Sequence, residues 1–174
     1  MTKKEIVNIL QEKHQELFDL IENQSDEKWI EGPENKWTFG QHVLHLVDSI
    51  ALLNKALIYP KFILKYKFGT SNRETRNYDV VAKKYEEKLA ANQERAKQFN
   101  IKLKTPTLKQ KAFLINKLKI QNKKLQHKTN KWKDKDLNNL LIPHPLMGRM
   151  TVREIIMWTA HHTAHHTQIL KEKY

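Results

Sequence analysis

Thr151-Val152-Arg153-Glu154, followed closely by Ala160-His161-His162-Thr163-Ala164-His165-His166-Thr167-Gln168-Ile169, decides how this chain is read. The first four residues have the form of a capping box. In that motif a Thr side chain accepts from the amide three residues on, and a Glu reaches back to the Thr amide. No Pro or Gly follows, so the spacing predicts one helix from about Val152 to about Lys171. Four of the nine histidines fall inside it, between positions 161 and 166. Side chains four apart on a helix stand one above the other. Two chelating pairs follow, His161 with His165 and His162 with His166. Two imidazoles one turn apart hold a single divalent ion when a third ligand arrives from another helix.

The candidates for that third ligand lie in a helix opened by a second cap-like run, Thr38-Phe-Gly-Gln41. Phe39, Val43, Leu46, Ile50, Leu53 and Leu57 give it an apolar face at helical spacing. His42 and His45 flank Leu46 on one side of that face. A third capping run, Thr2-Lys-Lys-Glu5, opens a first helix with Ile6, Ile9, Leu10, Leu17, Phe18 and Ile21 inward and His14 at its boundary. After it, Asn23 to Asn35 reads as loop.

Residues 65–77 read as a long polar loop. Asp79 opens a further helix to about Phe99, with Val80, Val81, Tyr85, Leu89 and Ala96 inward. Thr107-Leu-Lys-Gln110 opens another, with Leu108, Ala112, Ile115, Leu118 and Leu125 as its stripe. Trp132 to Met150 reads as irregular, suited to the rim of a pocket. All five prolines sit where helical periodicity lapses, and strand signals are nearly absent. The chain is read as all-α, one domain over residues 1–174.

Composition sets further bounds. With no cysteine, any transition-metal site must use His, Asp or Glu. The N-terminus has no uninterrupted apolar region of the signal-peptide kind. No apolar run approaches the ~20 residues that span a bilayer. A soluble cytoplasmic protein with no membrane partner is the expectation. The net charge of +13 invites a nucleic-acid reading. Between Ile101 and Asp136, twelve Lys stand against two Asp, with no Arg. Bidentate reading of bases uses Arg, and these lysines point all round their helix. They read as a solvated face, which leaves nucleic-acid binding a distant alternative.

Helical periodicity does not choose between the two histidine pairs. With Ile155 at the middle of the core face, His162 and His166 fall near its centre, and His161 and His165 fall about 80–120° to one side. A site at the bundle axis suits the first arrangement, and a site at a seam between helices suits the second.

Trp37-Thr-Phe-Gly-Gln-His-Val-Leu-His45-Leu-Val-Asp-Ser49 resembles the second-helix motif of the DinB-like, YfiT-type metalloprotein superfamily. His161-x-x-x-His165-x-x-Gln168-Ile169 is similar to that family's C-terminal motif. Arg76-Asn-Tyr-Asp79 and His144-Pro-Leu-Met-Gly148 also look like its recurring segments, and the resemblance covers residues 5 to 172. It implies a four-helix bundle with an additional helix, paired as a homodimer. It implies a three-histidine site for zinc, nickel or a similar divalent ion, with His45, His161 and His165 as ligands. His42 and His162 would then be neighbours, and His166 would pack in the core.

The resemblance also implies an activity. Relatives include transferases that join low-molecular-weight thiols, such as bacillithiol or mycothiol, to reactive small-molecule substrates. Arg73 and Arg76 would hold carboxylates of such a thiol. A metal-dependent hydrolase and a non-catalytic metal-binding stress protein are the alternatives.

Overall fold

The computed structural model describes residues 1–34, 36–94 and 103–174. Four long helices make the bundle: α1 (Lys3–Glu22), α3 (Phe39–Ala56), α6 (Lys111–Lys131) and α8 (Val152–Lys173). α1 packs along α6 and α8, and α3 along α6 and α8. A further helix, α5 (Tyr78–Ala91), lies against α8 from outside. Short helices α2 (Asp26–Ile30), α4 (Lys61–Phe68) and α7 (Asp134–Asn139) fill the connections. The fold is the expected all-α bundle with an additional helix.

The caps explain where these helices begin. Thr2, Thr38 and Thr151 each accept from the amide three residues on, at 3.2 Å, and Glu5, Gln41 and Glu154 each close the box on the Thr amide. At Thr107 the amide donates to Gln110 Oε1 at 2.9 Å, but Leu108–Gln110 is a 3-10 turn. Leu118 and Leu125 of the expected stripe are buried, together with Leu114, Asn122 and Thr129, and Ile115 packs half-buried against the core, while Leu108 in the turn and Ala112 are exposed.

Three stretches read as loop or irregular carry structure. Trp29, in α2, is buried against α3, and its packing requires Gly40. A Cβ at Gly40 would stand 2.7 Å from the Trp29 carbonyl oxygen. Residues 61–68 form α4, rooted by the buried Leu64, which shortens the polar loop. The stretch before α8 is a hairpin, β1 (Leu141–His144) antiparallel to β2 (Gly148–Thr151), with Ile142 opposite Met150 and His144 opposite Gly148. Leu146 and Met147 amides donate to His144 Nδ1, each at 3.1 Å, and Gly148 takes φ 71° to close the turn.

α5 starts at Tyr78, two residues earlier than a cap at Asp79 implies, because Asn77 caps it by accepting from Val80 N at 2.9 Å. Val81 and Tyr85 are buried, and Val80 is 39 % exposed. The expected continuation through Ala96 to Phe99 lies outside the described residues.

His14 is a correction. It is fully buried, not at a boundary. Its Nδ1 donates to the Leu10 carbonyl at 2.7 Å, and Nε2 lies 3.4 Å from Thr163 Oγ1 on α8. A histidine whose polar atoms are met this way can replace an aliphatic residue at a helix–helix contact.

Candidate metal centre

α8 turns Ile155, Thr159, His162, His166 and Leu170 toward the interior, all of them buried. This is the face that periodicity from Ile155 defines. α3 turns His42 inward and leaves His45 half-buried beside it. Three imidazoles meet where these faces cross. His162 Nε2 lies 3.1 Å from His45 Nε2 and 3.1 Å from His166 Nε2. One ligand nitrogen from each ring lies within 4.8 Å of the other two.

The donor set fits a divalent ion. Nitrogens held at about 2.0–2.1 Å from zinc in a tetrahedral site stand roughly 3.3 Å apart. The spacing seen here is close to that. Protons alone satisfy such a cluster poorly, because each N···N contact can hold only one and His162 Nε2 faces two neighbours.

Burial favours the neutral, metal-binding form of every ring. It lowers His45 to about 4, helped by His165 nearby. It lowers His42 to about 3, with His45 adding to the effect. His162 and His166 are pushed well below the ordinary range, first by burial and then by the other imidazoles.

Aromatic rings wall the cluster. Trp158 stacks on His162 with centroids 4.4 Å apart, Trp37 lies 5.0 Å from His45 and stacks at 6.0 Å on His166, and Tyr85 meets His162 edge-on at 6.0 Å. The Trp158 Nε1 and His162 Nδ1 atoms are buried with no hydrogen-bond partner. His166 Nδ1 is 2.8 Å from His42 Nδ1. With His166 Nε2 facing the cluster, its Nδ1–H donates to His42, and that bond fixes the tautomer.

The structure therefore brings together His45, His162 and His166, not the expected set of His45, His161 and His165. His161 Nε2 and His165 Nδ1 both turn to one Glu86 oxygen on α5, at 2.8 and 3.2 Å. The same α8 register that buries His162 and His166 points this pair at the seam with α5. Gln168, the last polar residue of the C-terminal motif, is exposed and donates to Glu172. His162 and His166 were within reach of the sequence through the phase of Ile155. The spacing to Gln168 pointed the other way.

Arg73 and Arg76 are not poised for a ligand carboxylate. Arg73 forms a bidentate pair with Glu154 at 2.6 and 2.8 Å, and Arg76 Nη1 stands 3.7 Å from the same carboxylate. Glu154 is fully buried, and it also accepts from the Arg76 amide at 2.8 Å. Burial pushes its carboxyl up, but the Arg73 hydrogen bond and the Arg76 and Thr151 amides outweigh that and hold it below the usual range. Both arginines thus tie the 69–77 loop to the start of α8.

The family model of the DinB superfamily matches residues 9–170, which include α3 and the histidines of α8. The chain belongs to the DinB superfamily. Comparison with curated proteins and with solved structures gives no match. In this DinB-superfamily bundle the three-histidine cluster joins α3 to α8, the two helices that carry the family-like motifs.

Proposed function

We propose that this chain is a metal-dependent DinB protein in which His45, His162 and His166 hold one divalent ion, zinc or nickel. The observation that carries the reading is the meeting of three Nε2 atoms around His162 at 3.1 Å. Three protein ligands rather than four is the pattern of catalytic zinc, which keeps one position for water or substrate. We further propose that the activity is transfer of a low-molecular-weight thiol, such as bacillithiol, to a small reactive electrophile. A divalent ion held by these residues lowers the pKa of a thiol or water and makes it nucleophilic at neutral pH.

The chain's own residues support this in two ways. The histidines stay neutral, so they compete little with protons for the ion near pH 7. The walls of Trp37, Tyr85 and Trp158 keep bulk water from the cluster, which strengthens electrostatic interactions inside it. His45 is the least buried of the three, so substrate approach is expected from its side.

Metal analysis of the purified protein combined with a screen of thiols against electrophiles tests the reading. One equivalent of metal and metal-dependent consumption of both substrates is the expected result. Metal binding without any turnover would leave the non-catalytic reading, and no metal under any condition would end both.

A further inference from the structure

Leu52, Ile58, Phe62 and Tyr66 are 71, 72, 72 and 91 % exposed, more than any other large apolar residue described. They share a short stretch of chain at the end of α3 and on α4, and Tyr59 beside them is 46 % exposed. Phe62 and Tyr66 are one turn apart and stand on one face of α4. Single exposed apolar residues are ordinary, but a concentration of this kind marks a contact surface.

The platform is fixed. The chain bends by 105° between α3 and α4. Leu64 roots α4 in the core, and Lys61 pairs with Asp136 and lies 5.0 Å over the Trp132 ring. The charge of the stretch is one-sided. No Asp or Glu occurs from Ser49 to Arg73, while Lys55, Lys61, Lys65 and Lys67 do. Lys67 Nζ lies 5.9 Å over the Tyr59 ring.

We propose that this face docks the protein on an anionic lipid bilayer. Aromatic and aliphatic side chains set among lysines are what a segment lying in the headgroup region requires, and such contact needs no spanning helix. The chain's charge of +13 draws it to the same surface. A second copy fits less well. In a two-fold pair the patch would meet itself, placing lysines of both copies together with no acid from this stretch to answer them. Single-stranded nucleic acid asks for a charged groove with stacking platforms, whereas Leu52 and Ile58 expose aliphatic side chains that offer no stacking face. The inference is independent of the metal centre.

Co-sedimentation of the full chain with vesicles tests it. Binding is expected to phosphatidylcholine mixed with phosphatidylglycerol, and not to phosphatidylcholine alone. Each lysine near an anionic surface strengthens binding roughly fivefold, so K65E/K67E should lower the partition coefficient at least tenfold. F62S/Y66S should lower it comparably. Thermal melting should be unchanged in both, since the four side chains are exposed. Three results would overturn the proposal: no binding to either vesicle, equal binding to both, or a dimer in sedimentation velocity that F62S/Y66S turns into monomer.

Discussion

His42 Nδ1 sits 2.8 Å from His166 Nδ1, so a histidine with no atom in the three-nitrogen cluster holds one that has. The bond leaves His166 Nε2 free to face His45 and His162. Partners of this kind orient a ligating imidazole and raise its basicity, and their loss costs about 10- to 100-fold in metal affinity. H42A is therefore expected to weaken zinc binding by that factor while keeping one site per chain. Competition titration with a chromophoric chelator measures it. Unchanged affinity would mean that stacking of Trp37 on His166 orients the ring unaided.

The choice of ligand pair gives a sharper test. H162A and H166A each remove a nitrogen from the cluster and should abolish stoichiometric metal binding. H161A and H165A remove side chains that turn to Glu86, and should retain it. Metal content by mass spectrometry of the four purified variants decides. Full retention in H162A together with loss in H161A would restore the pair that the motif spacing suggests.

That divergence shows what the sequence makes legible. Helix starts were readable because a capping box is local chemistry, complete within four residues. The all-α class followed from proline placement and the near absence of alternating patterns. α2, α4 and the hairpin were not readable, because short elements depend on distant partners: Trp29 on Gly40, Leu64 on the core, Leu140 on Thr70. For the site, the phase of α8 from Ile155 pointed inward to His162 and His166, while alignment on Gln168 pointed to their neighbours. A one-residue difference in alignment turns a helix by about 100° and so exchanges one pair for the other. His14 escaped because nothing in the sequence shows that Leu10 and Thr163 would meet its ring.

His14 also makes stability depend on pH. Burial lowers its pKa to about 4 in the fold, against the Leu10 hydrogen bond, from an ordinary value of 6.5. The unfolded chain therefore binds a proton that the folded chain refuses between those values. The resulting stabilisation is fully present above pH 6.5 and is lost as pH falls through about 4. It amounts to roughly 3 kcal/mol. Urea midpoints should fall across this window, and H14Q should reduce the slope. An unchanged slope in H14Q would assign the loss to the other buried histidines.

Removing the Glu154 carboxylate should destabilise the fold without touching the metal cluster. E154Q breaks the bidentate contact with Arg73 and weakens the cap of α8. Breaking such a pair by changing one partner costs about 3 kcal/mol, less here to the extent that Arg73 can turn to solvent. Metal stoichiometry in the folded fraction should stay at one. A variant as stable as the parent would show that the capping hydrogen bonds survive in the amide.

Gly40 is the residue whose replacement best tests the approach of α2 to α3. A methyl group there would lie 2.7 Å from the Trp29 carbonyl and 2.9 Å from the indole ring. Real Cβ atoms do not approach so closely, so either Trp29 moves or α2 lifts from α3. Trp29 is buried, its Nε1 donates to the Thr107 carbonyl at 3.2 Å, and α2 also touches the turn before α6. The displacement therefore reaches the start of α6 as well. Overpacking of this kind costs typically 1–3 kcal/mol, which more than offsets the gain in helix propensity of about 1 kcal/mol from Gly to Ala. G40A should lower the melting temperature and change Trp fluorescence. A rise in melting temperature would mean that propensity outweighs the clash and that α2 is free to shift away from α3.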